Sequence, residues 1–264
     1  MRKIYFMSGA GNLFTVLDNR EIDLNTEKAS KLAIALCSEN NPSGRATEGF
    51  MLLNNSNKFA FECLYFNPDG SSGMMCGNGA RCIVKFAKHL DILKSDNFTF
   101  EMNGREYSAI YSETTIKIFF GFPENNFMYY NEDSNVKGTY LFNGSDHLVV
   151  EHLKNDFDHF NLESFAVPIM KDTKFPKSVN INIYRPNEDG TFSLRTFERG
   201  VNKETGACGT GALALGYHIA TIKNINPPFT IYPTSKEQLL VDMDKTSMTL
   251  GGPAEIIGEA NIKL

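Results

Sequence analysis

Cys76-Gly77-Asn78-Gly79-Ala80 and Cys208-Gly209-Thr210-Gly211-Ala212 follow one formula, Cys-Gly-x-Gly-Ala, and each opens a largely apolar run of helical character. A cysteine at the start of a helix sits beside unpaired backbone N–H groups and the positive end of the helix dipole, which favours its thiolate. One such loop stands in each half of the chain. The pattern points to a single site flanked by two thiols, not to a disulfide or a metal clamp.

Working outward, the chain has 264 residues, 42% of them hydrophobic and 12% aromatic. That is enough for one large domain or two of about 130 residues, each with its own core. The net charge of −5 and a pI near 5.6 come with no basic stripe, so nucleic acid is not an expected partner. The first residues contain Ser8, Gly9, Gly11 and Asn12, which is no signal-peptide core, and no run approaches about eighteen consecutive apolar residues. No membrane association is expected, and five cysteines without a secretion signal suit the reducing cytoplasm. Cys76 and Cys82 are the closest cysteine pair, with no second pair to complete a zinc site, and the five histidines form no ligand spacing. The expectation is no metal.

The pattern is mostly strand. Phe59–Phe66, Ile116–Phe120 and Phe192–Phe197 are rich in aromatic and β-branched residues. Asn103-Gly104 and Asp189-Gly190 lie between such runs as tight hairpin turns, so antiparallel pairing is predicted. Helical patterns cover about 26–38, 79–90, 161–170 and 210–222, and the last is apolar on nearly every face. The polar, aperiodic stretch from Pro123 to Gly138 is the linker candidate. It divides the chain into 1–122, carrying Cys76, and 123–250, carrying Cys208, with 251–264 as a tail.

Two such loops meeting in one cleft can hold a carboxylate between them, since helix N-termini bind anions. A cysteine would then stand on each side of the adjacent carbon. This arrangement suits cofactor-independent stereoinversion, in which one thiolate takes the α-proton and the opposing thiol returns one to the other face. The two titrations would be coupled. No dinucleotide fingerprint or phosphate loop is present, in keeping with an expectation of no cofactor. Cys63, in a strand alternation, and Cys82, inside a helix, read as core residues, as does Cys37.

The chain resembles the diaminopimelate epimerase family. The resemblance is carried by Ser8-Gly9-Ala10-Gly11-Asn12-Leu13-Phe14, by Phe66-Asn67-Pro68-Asp69-Gly70-Ser71 with Met75 to Cys82, by Phe175 to Asn180, by Glu198-Arg199-Gly200-Val201 through Ala212, and by Gly252-Pro253-Ala254-Glu255. It implies an α+β fold of two pseudo-symmetric domains, each a mainly antiparallel sheet wrapped around a central helix, with the tail returning to the first. It also implies an isomerase that works without pyridoxal phosphate. The implied reaction interconverts LL- and meso-2,6-diaminopimelate in lysine and peptidoglycan precursor biosynthesis, with Cys76 as donor and Cys208 as acceptor in the LL-to-meso direction.

By the same resemblance, Gly77, Asn78, Gly209 and Thr210 hold the α-carboxylate. Asn12, Asn67, Asn180, Glu198 and Arg199 contact the substrate, and His147 and Glu198 join the catalytic set. These types suit a diamino acid: arginine offers a fork to a carboxylate, and glutamate accepts from an ammonium. The chain departs from the family where Gly144-Ser145-Asp146-His147 replaces the usual Gly-Asn-Pro-His, where the loop around Asn202-Lys203 is one residue longer, at Leu13, and at Thr47-Glu48-Gly49. These departures leave the distal end of the substrate open. A racemase of histidine or another polar amino acid on the same scaffold is the alternative, followed by a non-catalytic small-molecule binder. The partner expected is a small amino acid, with a homodimer left open.

Overall fold

Helix α2 (Gly77–His89) starts directly after Cys76, and helix α4 (Gly209–Ile222) directly after Cys208. The other two helices, α1 (Thr26–Leu36) and α3 (Leu162–Met170), also fall on the patterns read from the sequence. This computed structural model describes every residue except Met74 and Asp133. It divides into two units, Met1–Phe119 with Gly251–Leu264, and Phe120–Leu250.

In the first unit, β1 (Arg2–Gly9) pairs antiparallel with β2 (Asn12–Asp18), and β2 pairs parallel with β3 (Gly49–Asn54) across a connection that holds α1. Next, β4 (Glu62–Phe66) lies antiparallel to β3, and β5 (Asn97–Met102) parallel to β4 across a connection that holds α2. Antiparallel strands β6 (Arg105–Tyr111) and β7 (Ile116–Phe120) follow. On the far side of β1 lies β17 (Glu255–Ile262), also antiparallel.

The second unit repeats this plan. Strands β8 (Asn125–Asn131), β9 (Val136–Phe142) and β10 (Asp146–Glu151) pair antiparallel, and β11 (Asn180–Pro186) joins β10 in parallel across α3. Then β12 (Phe192–Glu198) is antiparallel to β11, and β14 (Phe229–Tyr232) is parallel to β12 across α4. Strand β15 (Leu239–Met243) is antiparallel to β14, β16 (Met248–Gly252) follows, and a short β13 (Lys203–Thr205) returns against the end of β12. The alternation of hairpin and right-sized helical crossover is therefore the same in both units. The sheet-dominated α+β architecture matches the expectation, with parallel pairs at each crossover.

Each central helix is enclosed by strands of its own unit. Helix α2 packs on β1, β2, β3, β6 and β17, and α4 on β9, β10, β11 and β15. Ala212, Leu213, Ala214, Leu215 and Ile219 of α4 are buried, as an apolar run on all faces requires. Cys37, Cys63 and Cys82 are buried core residues, and burial pushes the Cys63 thiol far above the usual range.

Three details differ from the sequence reading. The proposed linker from Pro123 to Gly138 is instead taken up by β8 and the start of β9, paired from Asn125↔Phe142 to Asn131↔Val136. It reads as polar because Tyr129 is the one fully buried side chain of β8, packed on Phe175 at 5.0 Å and bonded to Asp172. Asp189-Gly190 lies in a five-residue loop, Asn187 to Thr191, closed by the Asp189 carboxylate accepting from Thr191, instead of forming a two-residue turn. Phe59, Ala60 and Phe61 precede β4 instead of extending it. By contrast, Asn103-Gly104 is a two-residue hairpin with both φ angles positive, at 48° and 76°, as that turn demands.

Gly216 lets α4 approach the sheet. A Cβ there would lie 2.4 Å from Val241 Cγ1. Gly216→Ala should therefore lower the unfolding free energy by on the order of 1–3 kcal/mol through overpacking, despite alanine's better helix propensity. Urea unfolding checks this; an unchanged or raised midpoint would show that β15 yields at no cost.

Candidate functional site

Of the four helices among the described residues, α1 and α3 are capped by asparagine side chains, with Asn25 accepting from Lys28 N–H and Asn161 from Ser164 N–H. Helices α2 and α4 begin instead at Cys76 and Cys208, and neither side chain caps its helix. Both cysteines have the same backbone conformation, φ −113° and ψ 113° at Cys76, φ −115° and ψ 109° at Cys208. The first-turn N–H groups of an α-helix have no partner within the helix and attract anions. The repeated sequence thus folds into a repeated helix start with a thiol at its edge.

In the second unit, Glu198 ends β12 and hydrogen-bonds to Cys208 and to the Thr205 hydroxyl. Burial pushes the Glu198 carboxyl above the usual carboxylate range, against the pull of those two bonds. A carboxyl so placed can take up the proton that a neighbouring thiol gives up. Thr210, in the first turn of α4, lies 3.5 Å from Cys208 Sγ, and its carbonyl accepts from Asn143 Nδ2 at 2.9 Å. His147, at the start of β10, is fully buried and 3.0 Å from Thr210 Oγ1. Burial, with the nearby Arg199 charge, lowers its pKa to about 3, so the ring is neutral.

Asn180, which begins β11, spends its side chain on neighbours: its amide donates to Ser145 Oγ at 3.0 Å and to the Asp146 carbonyl, and its oxygen accepts from Arg199 N–H. Arg199 follows β12 in the tight turn to β13. Its guanidinium donates to Asp146 Oδ2 at 2.6 Å and to the carbonyls of Lys177 and Ser178. Glu198-Arg199 is therefore not an ion pair; Arg199 pairs with Asp146. Asp146 also accepts from the Tyr140 hydroxyl at 2.6 Å.

In the first unit, Asn78 is 1% exposed and its side-chain oxygen accepts from Arg81 at 2.8 Å. Arg81 looks like a surface interruption of α2 in the sequence, yet it is fully buried, donating also to the carbonyls of Gly77 and Pro253. Asn12 opens β2 and is 4% exposed; Asn67 closes β4 in a turn with Ser71. Gly77 and Gly209 are buried first residues of their helices.

The structure thus brings Cys208, Glu198, Thr210 and His147 into one connected cluster, with Asn180 and Arg199 beside it. Sequence reasoning missed Asn182, Thr196 and Arg81 as site-forming residues; Asp146 it singled out, without its pairing to Arg199. The signal for Asn182 was its place two residues after Asn180 on one strand, which puts both side chains on one face. Among the described residues no group of three or more His, Cys, Asp or Glu could hold a metal, and no helix is long and apolar enough to cross a membrane. A cavity of about 810 Å³ beside Thr205 and Gly206 is lined by charges that already pair, Arg195 with Glu204 at 2.6 Å and Arg185 with Asp158 at 3.0 Å.

His147 and His218 are both held neutral by burial, with pKa values lowered to about 3 and about 4. The unfolded chain therefore binds more protons than the folded one between those values and about 6.5, so stability present above that pH is lost as pH falls. Urea unfolding should give a chain roughly 2 kcal/mol less stable per histidine at pH 5 than at pH 7. His218→Gln should show the shallower slope; a wild-type slope in that variant would disprove the assignment.

Comparison with known proteins finds relatives along nearly the whole chain. The family model described as diaminopimelate epimerase matches residues 4–119. The chain is 30% identical over 268 residues to the diaminopimelate epimerase of Flavobacterium psychrophilum, covering 98% of this chain and 100% of that one. It is also 30% identical to the diaminopimelate epimerase of Hydrogenobaculum sp., with 95% of each chain covered. In fold it is similar to a Bacillus anthracis phenazine biosynthesis protein of the PhzF family (TM-score 0.79, 14% identity, 100% and 99% of the two chains). A hydroxyproline epimerase of Agrobacterium vitis has a TM-score of 0.67 at 12% identity, over 98% and 93%. With two repeated cysteine-led helices and relatives that match along nearly its whole length, the chain belongs to the diaminopimelate epimerase family of isomerases.

Proposed function

We propose that this enzyme interconverts LL- and meso-2,6-diaminopimelate by moving protons through Cys76 and Cys208. The observation that carries the proposal is the matched geometry of the two cysteines, each at an uncapped helix start with the same φ and ψ. In the LL-to-meso direction, the Cys208 thiolate takes the α-proton and the Cys76 thiol supplies one to the opposite face. The roles exchange in reverse, and proton count and charge balance without an added reactant. Gly77, Asn78, Gly209 and Thr210 hold the α-carboxylate, whose resonance takes up the negative charge left by the departing proton. Glu198, bonded to Cys208, receives or returns the thiol proton between turnovers.

Asn12, Asn67, Asn180 and Arg199 are assigned to the rest of the substrate, and the place of the reaction is cytoplasmic lysine and cell-wall precursor synthesis. A second reading, a racemase of histidine or another polar amino acid, is favoured by one contact. Arg199, the cation assigned to the distal carboxylate, is paired with Asp146 at 2.6 Å, with the two side chains 24% and 15% exposed. A distal carboxylate must displace Asp146 or share its cation, and separating a half-buried pair is costly.

α-Deuterium incorporation in deuterated water, measured separately with LL-diaminopimelate and with histidine, tests both readings. Exchange with diaminopimelate, with inversion abolished in Cys76→Ala and in Cys208→Ala, is the expected result. Exchange with histidine alone would establish the second reading, and an active Cys208→Ala enzyme would defeat the two-thiol mechanism.

A further inference from the structure

Behind Cys208 lies a run of polar side chains that the proposed proton transfer does not itself use. Asn182 is fully buried on β11. Its amide nitrogen lies 3.1 Å from His147 Nδ1, 3.2 Å from the Leu148 carbonyl and 3.1 Å from the Asn180 carbonyl. Its oxygen accepts from Thr196 Oγ1 at 3.0 Å. Two backbone carbonyls cannot face an amide oxygen, so the amide has one orientation, nitrogen toward the carbonyls and toward His147.

An amide nitrogen donates and does not accept. His147 Nδ1 must therefore present its lone pair, and the single proton of the neutral ring sits on Nε2. From there it donates to Thr210 Oγ1 at 3.0 Å. The hydroxyl's own proton then has Cys208 Sγ, at 3.5 Å, as its acceptor.

We infer that Asn182 is a positioning residue: by fixing the tautomer of His147 it aims the Thr210 hydroxyl proton at Cys208 Sγ and stabilises that thiolate. The backbone is shaped for this. A Cβ at Gly211 would lie 2.4 Å from Asn182 Oδ1 and 3.3 Å from Thr196 Oγ1, so the second glycine of the Cys-Gly-x-Gly-Ala loop is what admits the polar run beneath the helix.

The first unit supplies the comparison. Register places His147 opposite Asn180 as it places Phe14 opposite Gly49, and Val149 opposite Asn182 as Val16 opposite Met51. Gly79, the equivalent of Gly211, faces Phe14 and Met51 at 3.4 and 3.5 Å. The positions that carry the polar run behind Cys208 thus carry an aromatic ring and a thioether behind Cys76.

The charged and titratable groups around Cys208 are Glu198 on β12 and, reaching it through His147 on β10, Asp146 and Arg199; His218 lies further along α4. Glu198 takes the thiol proton, and the His147 to Thr210 run supplies a donor once that proton has left. The use of this thiolate in inversion rests on the function proposed above, but the following measurements need no substrate, so the two can fail separately.

Ring-nitrogen NMR of the full chain labelled with ¹⁵N-histidine should show His147 as the Nε2–H tautomer, unchanged from pH 8 down to pH 5. Iodoacetamide alkylation of the Cys208 peptide, followed by mass spectrometry against pH, should slow about tenfold at pH 7 in Thr210→Val and in Asn182→Ala. That loss corresponds to about one unit in the thiol's apparent pKa. Thr210→Ser should keep the wild-type rate, and the Cys76 peptide should react unchanged in all variants. An Nδ1–H tautomer in the wild type, or wild-type alkylation in Thr210→Val, would overturn the inference even if Asn182→Ala does not fold.

Discussion

The two central helices are confined on several sides by strands of their own units, and this confinement fixes where each cysteine stands. Helix α4 meets β9, β10, β11 and β15, with Gly216 against Val241 and Gly211 against Asn182, so a methyl group at either place would already collide. A helix held this tightly cannot rotate or slide without breaking packing along its length. Its N-terminus is correspondingly fixed against the ends of β10, β11 and β12, which deliver His147, Asn180 and Glu198. The position of Cys208 follows from the packing of glycines further along the same helix.

Both units solve the same packing problem with the same sequence of hairpins and crossovers, and their helix starts are alike to within a few degrees. What differs is the material beneath. In the first unit Phe14, Met51 and the buried Arg81 surround the base of α2; in the second His147, Asn182 and Thr196 surround that of α4. The proposed transfer of a proton from one side of a carbon to the other needs two similar arms, yet it also needs one thiol ionised while the other is not. Two thiols in identical settings would have no preference for either arrangement. Divergence of the surroundings, with conservation of the helix start, meets both demands.

Much of this was legible in the sequence because it rests on local chemistry. The repeated Cys-Gly-x-Gly-Ala formula locates both helix starts, and the apolar run after Cys208 reveals a helix covered on every side. Asn103-Gly104 announces its hairpin because both residues tolerate the positive φ that the turn requires. What escaped depends on distant partners. Nothing local shows that Arg81 is buried, since its acceptors include the Pro253 carbonyl. Nothing local shows that Arg199 pairs with Asp146, which comes from another strand. Strand β8 was invisible because its one buried side chain, Tyr129, stands beside the exposed Phe127, Met128 and Tyr130, which leaves no alternation to read.

Strand β17 has a consequence for how the molecule is made. It pairs along β1 from Arg2↔Ile262 to Ser8↔Glu255, yet it follows the whole of the second unit in the chain. During synthesis the ribosome delivers all of residues 120–250 while one edge of β1 still lacks its partner. An open strand edge is a template for pairing with another chain. The second unit can therefore assemble as one continuous segment as it emerges, whereas the first must keep β1 available until translation has passed its partner. The order of emergence thus makes the half that begins first the half that is completed last.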